Sequence, residues 1–133
     1  MTSKANVSWL KRLTARTAVL ENEGAQPVVI TSATTPVVVT AAQLNKHAIL
    51  TNTKADGAVV YTLPAATAGM RLTGIVGVAQ GLTLDLPTGD TIAGTATSGQ
   101  TLTADALGES IQLICIVDGR WDVLAKTGTW TAA

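Results

Sequence analysis

The segment at residues 111–126 constrains the fold more than any other part of the sequence. Two runs rich in β-branched and aromatic residues flank the pair Asp118-Gly119. This arrangement is among the strongest short-range signals for a β-hairpin, because both central residues of a type I′ turn need a positive φ angle. The sequence therefore predicts two long antiparallel strands joined by a two-residue loop at Asp118-Gly119.

Counting outward from this loop assigns the hairpin side chains to two faces. One face is predicted to point into the core, and its cross-strand pairs are Ile116 with Trp121, Ile114 with Val123, and Gln112 with Ala125. The other face mixes apolar and charged side chains, as in a subunit interface; its pairs are Val117 with Arg120, Cys115 with Asp122, Leu113 with Leu124, and Ile111 with Lys126. A bulged turn would shift the register and exchange the faces, so both assignments stay open.

The chain from Pro27 onward reads as short strands separated by turn residues. Leu82, Leu84 and Leu86 alternate with polar residues, as in a strand with one buried face. Other strands are predicted at residues 27–31, 36–40, 47–53, 58–63, 70–79, 101–103 and 127–131, with a helical turn at 41–46. Gly74 and Gly77 interrupt the longest stretch and indicate a bulge or a close backbone approach.

About nine or ten short strands with turn signals every eight to twelve residues are typical of a sandwich or barrel. We therefore expect an all-β fold, an antiparallel, jelly-roll-like β-sandwich or barrel at residues 27–133. No fixed-period repeat and no domain-splitting linker is visible. Hydrophobic residues make up 47% of the chain but aromatic residues only 3%, so Val, Ile, Leu, Ala and Thr must fill the core. Domains short of aromatic residues often gain burial by oligomerising.

Residues 1–26 differ from the rest of the chain and are predicted to form an N-terminal basic arm. The first twenty residues contain no acid but four basic side chains, Lys4, Lys11, Arg12 and Arg16. Apolar residues recur there at helical spacings, which fits an amphipathic turn or two. Such a charge asymmetry often marks an arm that docks on a partner, although a solvated tail has the same composition. Trp9 lies within this segment and is expected to pack onto its own domain or a neighbouring subunit.

Charge and hydropathy disfavour several classes of partner. The formal net charge is zero and the pI is about 6.5, which argues against a general nucleic-acid binder. No apolar run reaches the roughly 18 residues of a membrane span, and the N-terminus lacks the apolar core of a signal peptide. We expect a protein that is made in a cytoplasm and binds neither nucleic acid nor membrane.

Enzymatic and metal chemistry find little support in the residues present. His47 is the only histidine and opens a predicted strand, whereas a catalytic triad needs a histidine between a nucleophile and a carboxylate. Cys115 is the only cysteine; it lies in an apolar strand and is interpreted as a buried core residue. One His and one Cys make a zinc site improbable, and no calcium, phosphate-binding or nucleophile-elbow motif is present. We predict no catalytic residue, cofactor, metal or small-molecule substrate.

Carbohydrate binding is an alternative function, because β-sandwiches often bind sugars. Sugar sites stack rings on exposed aromatic side chains, and beyond Trp9 only Tyr61, Trp121 and Trp130 are available. Trp121 is assigned to the core and Tyr61 to the middle of a strand. Trp130 is the single candidate platform, and packing at a subunit interface is the favoured role for it.

Five segments within residues 52–130, taken in order, resemble a β-rich module found in virion proteins of tailed bacteriophages. They are Asp56-Gly57-Ala-Val-Val-Tyr-Thr-Leu-Pro64-Ala-Ala-Thr-Ala-Gly69, Leu86-Pro87-Thr-Gly89-Asp90-Thr-Ile92, Leu107-Gly108-Glu109-Ser110-Ile111, Gly119-Arg120-Trp121-Asp-Val and Gly128-Thr129-Trp130. No single segment is specific, and the resemblance depends on the ordered set. Modules of this kind occur as small head-decoration (cement) proteins and as end domains of tail fibres and spikes, and they are typically trimeric and non-catalytic.

The resemblance implies a capsid decoration protein, because the module makes up nearly the whole sequence and no shaft or enzymatic domain accompanies it. The implied partners are two further copies of the chain and the major capsid protein, on the outer surface of the virion head. A tail-fibre or spike tip, or a fibre adaptor, is the first alternative, and a small hydrolase or lectin is the second. The residues predicted to lie at interfaces are Lys4, Trp9, Lys11, Arg12, Arg16, Leu113, Arg120 and Trp130.

Overall fold

The structure, a computed structural model, describes residues 26–133. This part consists of β-strands and one short helix, and it contains no helix long and apolar enough to cross a membrane. The elements are β1 (Val28–Ser32), β2 (Val37–Val38), α1 (Ala41–Asn45), β3 (Ala48–Asn52), β4 (Val59–Thr62), β5 (Arg71–Ile75), β6 (Leu82–Asp85), β7 (Thr91–Ile92), β8 (Thr101–Ala104), β9 (Ser110–Val117), β10 (Arg120–Thr127) and β11 (Thr131–Ala132). The predicted basic arm lies outside the described residues, apart from Gln26.

The strands form two sheets, and both sheets are mixed. Sheet A has the order β1-β3-β5-β9-β10-β7, and sheet B has the order β11-β8-β6-β4-β2. The runs β1-β3-β5 and β2-β4-β6 are parallel, as is the pair of β7 with β10, whereas the other neighbours are antiparallel. The predicted all-β class is confirmed. The predicted antiparallel arrangement is wrong.

The parallel pairs arise because the first six strands alternate between the sheets. Val28 pairs with Ala48 and Ala48 pairs with Leu72, so successive circuits through both sheets take 20 and then 24 residues. Turn residues mark the end of each strand in the sequence, but they do not tell whether the next strand returns to the same sheet or crosses to the other one. Because the circuits differ in length, the sequence shows no fixed-period repeat.

Side chains from both sheets form one hydrophobic core. Alternation along the strands directs every second residue into it, as in β3, where Ala48, Leu50 and Asn52 are buried. The largest fully buried side chains are Trp121, Tyr61, Leu44, Leu50, Met70, Leu72, Leu82, Leu84, Ile92, Leu102, Ile111 and Leu113. The predictions that Trp121 and Leu84 point inward are confirmed, as is the prediction that Cys115 is a buried core residue.

The hairpin of β9 and β10 lies where the sequence predicts it, but its register is different. Val117 pairs with Arg120 as predicted, whereas Trp121 pairs with Cys115 and not with Ile116. The extra residue in β9, Ile116, forms a bulge, and a second shift follows between Val123 and Ala125. Gly119 has a φ of 82°, and Asp118 lies outside the positive-φ region, so the turn is not type I′.

The bulge exchanges the two faces of β9 and leaves Trp121 of β10 inside. Ile111, Leu113 and Cys115 are buried, whereas Gln112 and Ile116 are exposed. The prediction that Ile116 and Gln112 face the core is therefore wrong. The exchange that a bulge was expected to cause has occurred in this strand.

Candidate interaction surface

The solvent side of sheet A is the candidate functional surface, and it is defined by the strand register. Core residues alternate with residues on the opposite side, and paired residues share a side. Three rows cross the sheet: Arg71–Ile114–Asp122, Val29–Ile49–Thr73–Gln112–Ala125, and Thr31–Thr51–Ile75–Ser110–Thr127. Ile116 follows Ile114, and Leu124 follows Asp122, by two residues on the same side. We call this set the outer face of sheet A.

This outer face carries most of the large apolar side chains that are exposed in the described part of the chain. Seven such side chains are exposed there, and four belong to this face: Val29 (63%), Ile75 (37%), Ile116 (60%) and Leu124 (61%). Ile49 and Ile114 lie between them and are half-buried. A contiguous exposed apolar patch on a small protein commonly marks an interaction site.

The solvent side of sheet B has a different character. Its paired rows consist mainly of threonine and contain Val38, Val60, Thr62, Thr83, Asp85, Thr101, Thr103 and Thr131. The hydroxyls of Thr83 and Thr103 are hydrogen-bonded to each other at 2.8 Å. Val38 is the one exposed large apolar side chain in these rows. Hydroxyl groups keep this side compatible with water, so the two sides of the molecule are not equivalent.

Opposite charges flank Ile114 on the outer face of sheet A. Arg71 of β5 pairs with Ile114 on one side, and Asp122 of β10 pairs with it on the other. The Asp122 Oδ2 atom lies 3.4 Å from the Arg120 Nε atom. The outer face of sheet A therefore carries Arg71 on one side of Ile114 and the Asp122–Arg120 pair on the other. The mixed hairpin face predicted from the sequence consisted of other residues, and its members Ile111, Leu113 and Cys115 are buried.

His47 borders this face and makes a local hydrogen bond. Its Nε2 atom lies 2.8 Å from Thr73 Oγ1. Burial lowers the pKa of His47, and the positive charge of Arg71 lowers it further. Both effects favour the neutral imidazole beside β5. Within residues 26–133 no carboxylate is hydrogen-bonded to His47, and the contact with Thr73 is a structural hydrogen bond.

One edge of sheet A is only partly covered. β7 pairs with β10 at Arg120 and Trp121, and β9 is the only strand beside β10 beyond that point in the described part of the chain. Lys126 lies on this stretch, and a lysine on an open edge discourages pairing with other strands. The open edge and the outer face meet at Leu124.

Three of the segments that resemble the virion module meet at one end of the molecule. The Asp90 carboxylate accepts a hydrogen bond from Ala66 N at 2.7 Å, and the Asp118 carboxylate accepts one from Ala68 N at 2.8 Å. Gly119 N donates to Ala66 O at 2.9 Å. Asp90 thus joins the loop at residues 64–69 to the turn before β7, and Asp118 joins the same loop to the hairpin turn. Both carboxylates have a structural role here.

The other two segments meet around Glu109. Its carboxylate accepts hydrogen bonds from Thr129 N at 2.7 Å and from Ala106 N at 3.0 Å. The Thr129 N–H, and then the Ala106 N–H, hold the pKa of Glu109 below its usual value. Trp130 Nε1 lies 3.1 Å from Ser110 O and 3.2 Å from Thr127 O, to which it can donate. This cluster fastens the C-terminal strand to the end of β9.

No protein-family model matches this chain. The comparison with curated proteins finds no match either.

The structure separates the predicted interface residues into three groups. Lys4, Trp9, Lys11, Arg12 and Arg16 lie outside the described residues. Arg120 is exposed at the hairpin. Leu113 and Trp130 are buried, with 1% and 6% of their surface exposed, so neither side chain is available at the surface and the predicted surface position of both is wrong.

Ile114, Ile116 and Arg71 belong to the candidate surface although the sequence did not indicate them as surface residues. For Ile114 and Ile116, the sequence allowed a bulge in the hairpin, and a one-residue shift brings both side chains to the outer side. Arg71 had no local signal, because its position beside Ile114 depends on the pairing of β5 with β9.

The metal-binding residue types do not converge within residues 26–133. No group of three or more His, Cys, Asp and Glu side chains in this range could hold a metal ion. Burial raises the pKa of the Cys115 thiol, and its Sγ atom lies 3.1 Å from Val117 O. A protonated, buried thiol is a poor nucleophile.

Proposed function

We propose that this protein is a non-catalytic structural protein of a tailed-bacteriophage virion, a decoration protein that binds the major capsid protein as a trimer on the outer surface of the head. The observation that carries the proposal is a contrast within residues 26–133 between carboxylates that make structural hydrogen bonds and apolar side chains that are exposed together. The carboxylates of Asp90, Asp118 and Glu109 bind backbone N–H groups. The exposed apolar side chains meanwhile gather on one sheet face. Such a molecule is suited to adhesion.

We infer that the two sheets pack face to face as a jelly-roll-like sandwich. A single core that draws side chains from both sheets supports this arrangement. Tyr61 of β4 in sheet B also reaches two strands of sheet A, because its hydroxyl lies 2.6 Å from Thr51 O and 3.0 Å from Ile30 O. A rigid two-layer body fits a protein that must reinforce a shell.

The resemblance to virion modules gains support from the places where its segments meet. Segments that are far apart in sequence form two hydrogen-bonded clusters, one around Asp90 and Asp118 and one around Glu109. A set of short motifs that recur in the same order is expected when each motif supplies one part of a shared framework. On this proposal the motifs supply structural contacts.

Charge supports a role for the N-terminal segment in adhesion. Residues 1–25 carry four basic and two acidic side chains, whereas residues 26–133 carry five basic and seven acidic ones. A basic arm is attracted to acidic surface on the shell or on a neighbouring trimer, and this attraction weakens at high salt.

Electron microscopy of virions tests the proposal against its main alternative. A decoration protein is expected over the whole head in many copies, whereas a fibre tip or adaptor is expected at the tail in few copies. Antibody or gold labelling confined to the tail would replace the decoration role with the tail role. Catalytic turnover in a hydrolase panel that is lost in His47→Ala would overturn both.

A further inference from the structure

We propose that the outer face of sheet A is the surface through which copies of this chain associate, with Ile114 at its centre and Arg71 of one copy opposite Asp122 of the next. The inference rests on the homo-oligomer in the proposed function and assigns it a surface. It does not depend on where in the virion the protein is located.

The two sheets differ in the apolar side chains that they expose. The outer face of sheet A exposes Val29, Ile75, Ile116 and Leu124, while the rows on the solvent side of sheet B expose Val38 alone among large apolar side chains. Burying apolar surface stabilises an interface by about 25 cal/mol per Å² before the costs of association. Association through sheet A therefore removes apolar surface from water, and association through sheet B removes mainly hydroxyl groups.

The area of the outer face of sheet A can be compared with the area that a specific interface buries. Five paired strands at a spacing of about 4.8 Å, with five residues at about 3.3 Å each, span about 24 Å by 16 Å, or about 400 Å² in the plane of the sheet. Side-chain relief raises the accessible area above this value. The flat area lies below the roughly 600 Å² per partner at which specific interfaces begin, so association through this face must also bury the relief of its side chains.

The charged side chains on the outer face of sheet A indicate which molecule covers it. A charge buried in an interface needs a partner of opposite sign. Asp122 lies 3.4 Å from Arg120 of its own chain, whereas Arg71 makes no ion pair within residues 26–133, so a neighbouring copy that brings its Asp122 to Arg71 supplies the missing anion. The chain's own N-terminal segment carries four basic and two acidic side chains, and its net positive charge makes it the poorer occupant beside Arg71 and Arg120.

The border of the face also fits an interface. Thr31, Thr51, Ser110 and Thr127 form its last row, and the Ser110 and Thr127 hydroxyls are hydrogen-bonded at 2.9 Å. Protein interfaces commonly combine an apolar centre with a polar rim that stays partly hydrated. The hydroxyl groups of this row, which also contains Ile75, form one side of the rim.

Sedimentation equilibrium and native mass spectrometry of the full chain test this surface. Leu124→Asp and Ile116→Asp alter exposed side chains, so the fold is retained, and we expect association to weaken by about tenfold or more. Val38→Asp is the matched control, because it introduces the same charge at an exposed position of sheet B; its association should equal that of the wild type. Circular dichroism checks the fold of each variant.

A charge exchange tests the proposed pairing. Arg71→Glu and Asp122→Lys should each weaken association, and the double variant should regain most of it, because opposite charges again face each other across the interface. If Leu124→Asp and Ile116→Asp associate as the wild type does, the surface is wrong while the homo-oligomer stands. A monomeric wild type contradicts both. A monomer that Leu124→Asp destabilises would mean that the chain's own N-terminal residues cover the face.

Discussion

Tyr61 connects the two sheets through a single hydroxyl group. The side chain has no exposed surface, and its oxygen lies 2.6 Å from Thr51 O and 3.0 Å from Ile30 O. Burial raises the pKa of Tyr61 to about 12. The sequence located this residue in the middle of a strand. It gave no sign of the cross-sheet contact, because that contact depends on which strands face each other.

Removal of this hydroxyl should lower the free energy of unfolding. In Tyr61→Phe the Thr51 and Ile30 carbonyls lose a buried donor, and we expect a loss of about 1–3 kcal/mol. Urea unfolding followed by tryptophan fluorescence measures it. Thr62→Val is the control, because Thr62 follows Tyr61 in β4 and points to the solvent side of sheet B. This substitution should change stability little. An unchanged unfolding midpoint in Tyr61→Phe would contradict the bridging role.

The same residue gives the protein an alkaline limit that absorbance can follow. Tyr61 is the only tyrosine in the chain, so the ultraviolet signal of tyrosinate reports on it alone. The folded pKa of about 12 exceeds the ordinary value of 10. The stability linked to this group is therefore complete below pH 10 and falls as the pH rises toward 12. Tyrosinate that forms near pH 10 in the folded protein would show that the hydroxyl is accessible to water.

At the scale of single elements, the hairpin separates what the sequence predicted from what it could not. The strands and the turn at Asp118-Gly119 are where the alternation and the Asp-Gly pair indicate. The register could not be predicted, because β9 is apolar on both sides and either face would satisfy the core. The Asp118 carboxylate binds Ala68 N, a contact with another loop that no local pattern reveals.

Gly77 lies two residues after the end of β5, and the sequence predicted a bulge or a close backbone approach there. A Cβ atom at this position would lie 2.5 Å from Thr51 Oγ1 and 2.7 Å from Asn52 O. The close backbone approach expected from a glycine in a strand pattern is therefore confirmed. Gly77 N also donates to Asn52 Oδ1 at 2.8 Å, so the crowded carbonyl and the amide acceptor belong to one residue.

Gly77→Ala should destabilise the protein by about 1–3 kcal/mol, because a backbone carbonyl cannot move aside as a flexible side chain can. Gly57→Ala is the matched control. A Cβ atom there meets only the end of Lys54, at 3.4 Å or beyond, and the backbone φ is not positive. Thermal unfolding of both variants compares them directly. Equal melting temperatures would show that the β3–β5 connection tolerates the added methyl group.

At the scale of the whole molecule, local patterns determined the elements but not their connections. Strand lengths, the helical turn and most core residues follow from alternation and turn chemistry, which are properties of neighbouring residues. The alternation of β1 to β6 between the sheets, which makes both sheets mixed, depends on long-range packing. The candidate surface belongs to this second group, since its rows join residues from β1, β3, β5, β9 and β10.

Deletion of residues 1–20 is expected to separate folding from adhesion. The core, both sheets and the hydrogen-bonded clusters lie within residues 26–133, so the truncated protein should still fold and associate. It loses all four basic side chains of the arm, and we expect its binding to capsids to fall by about tenfold or more. Cosedimentation with capsids that lack the protein measures this binding.

A full-length variant isolates the charge from the loss of chain. Changing Lys4, Lys11, Arg12 and Arg16 to glutamine should weaken capsid binding as the deletion does and should remove most of its salt dependence. Changing Lys46, Lys54 and Lys126 to glutamine is the control, because it removes basic charge from the folded body and leaves the arm intact. If the truncated protein coats capsids as well as the full chain does, adhesion resides in the folded body, and the exposed sheet faces become the surfaces to examine for the shell contact.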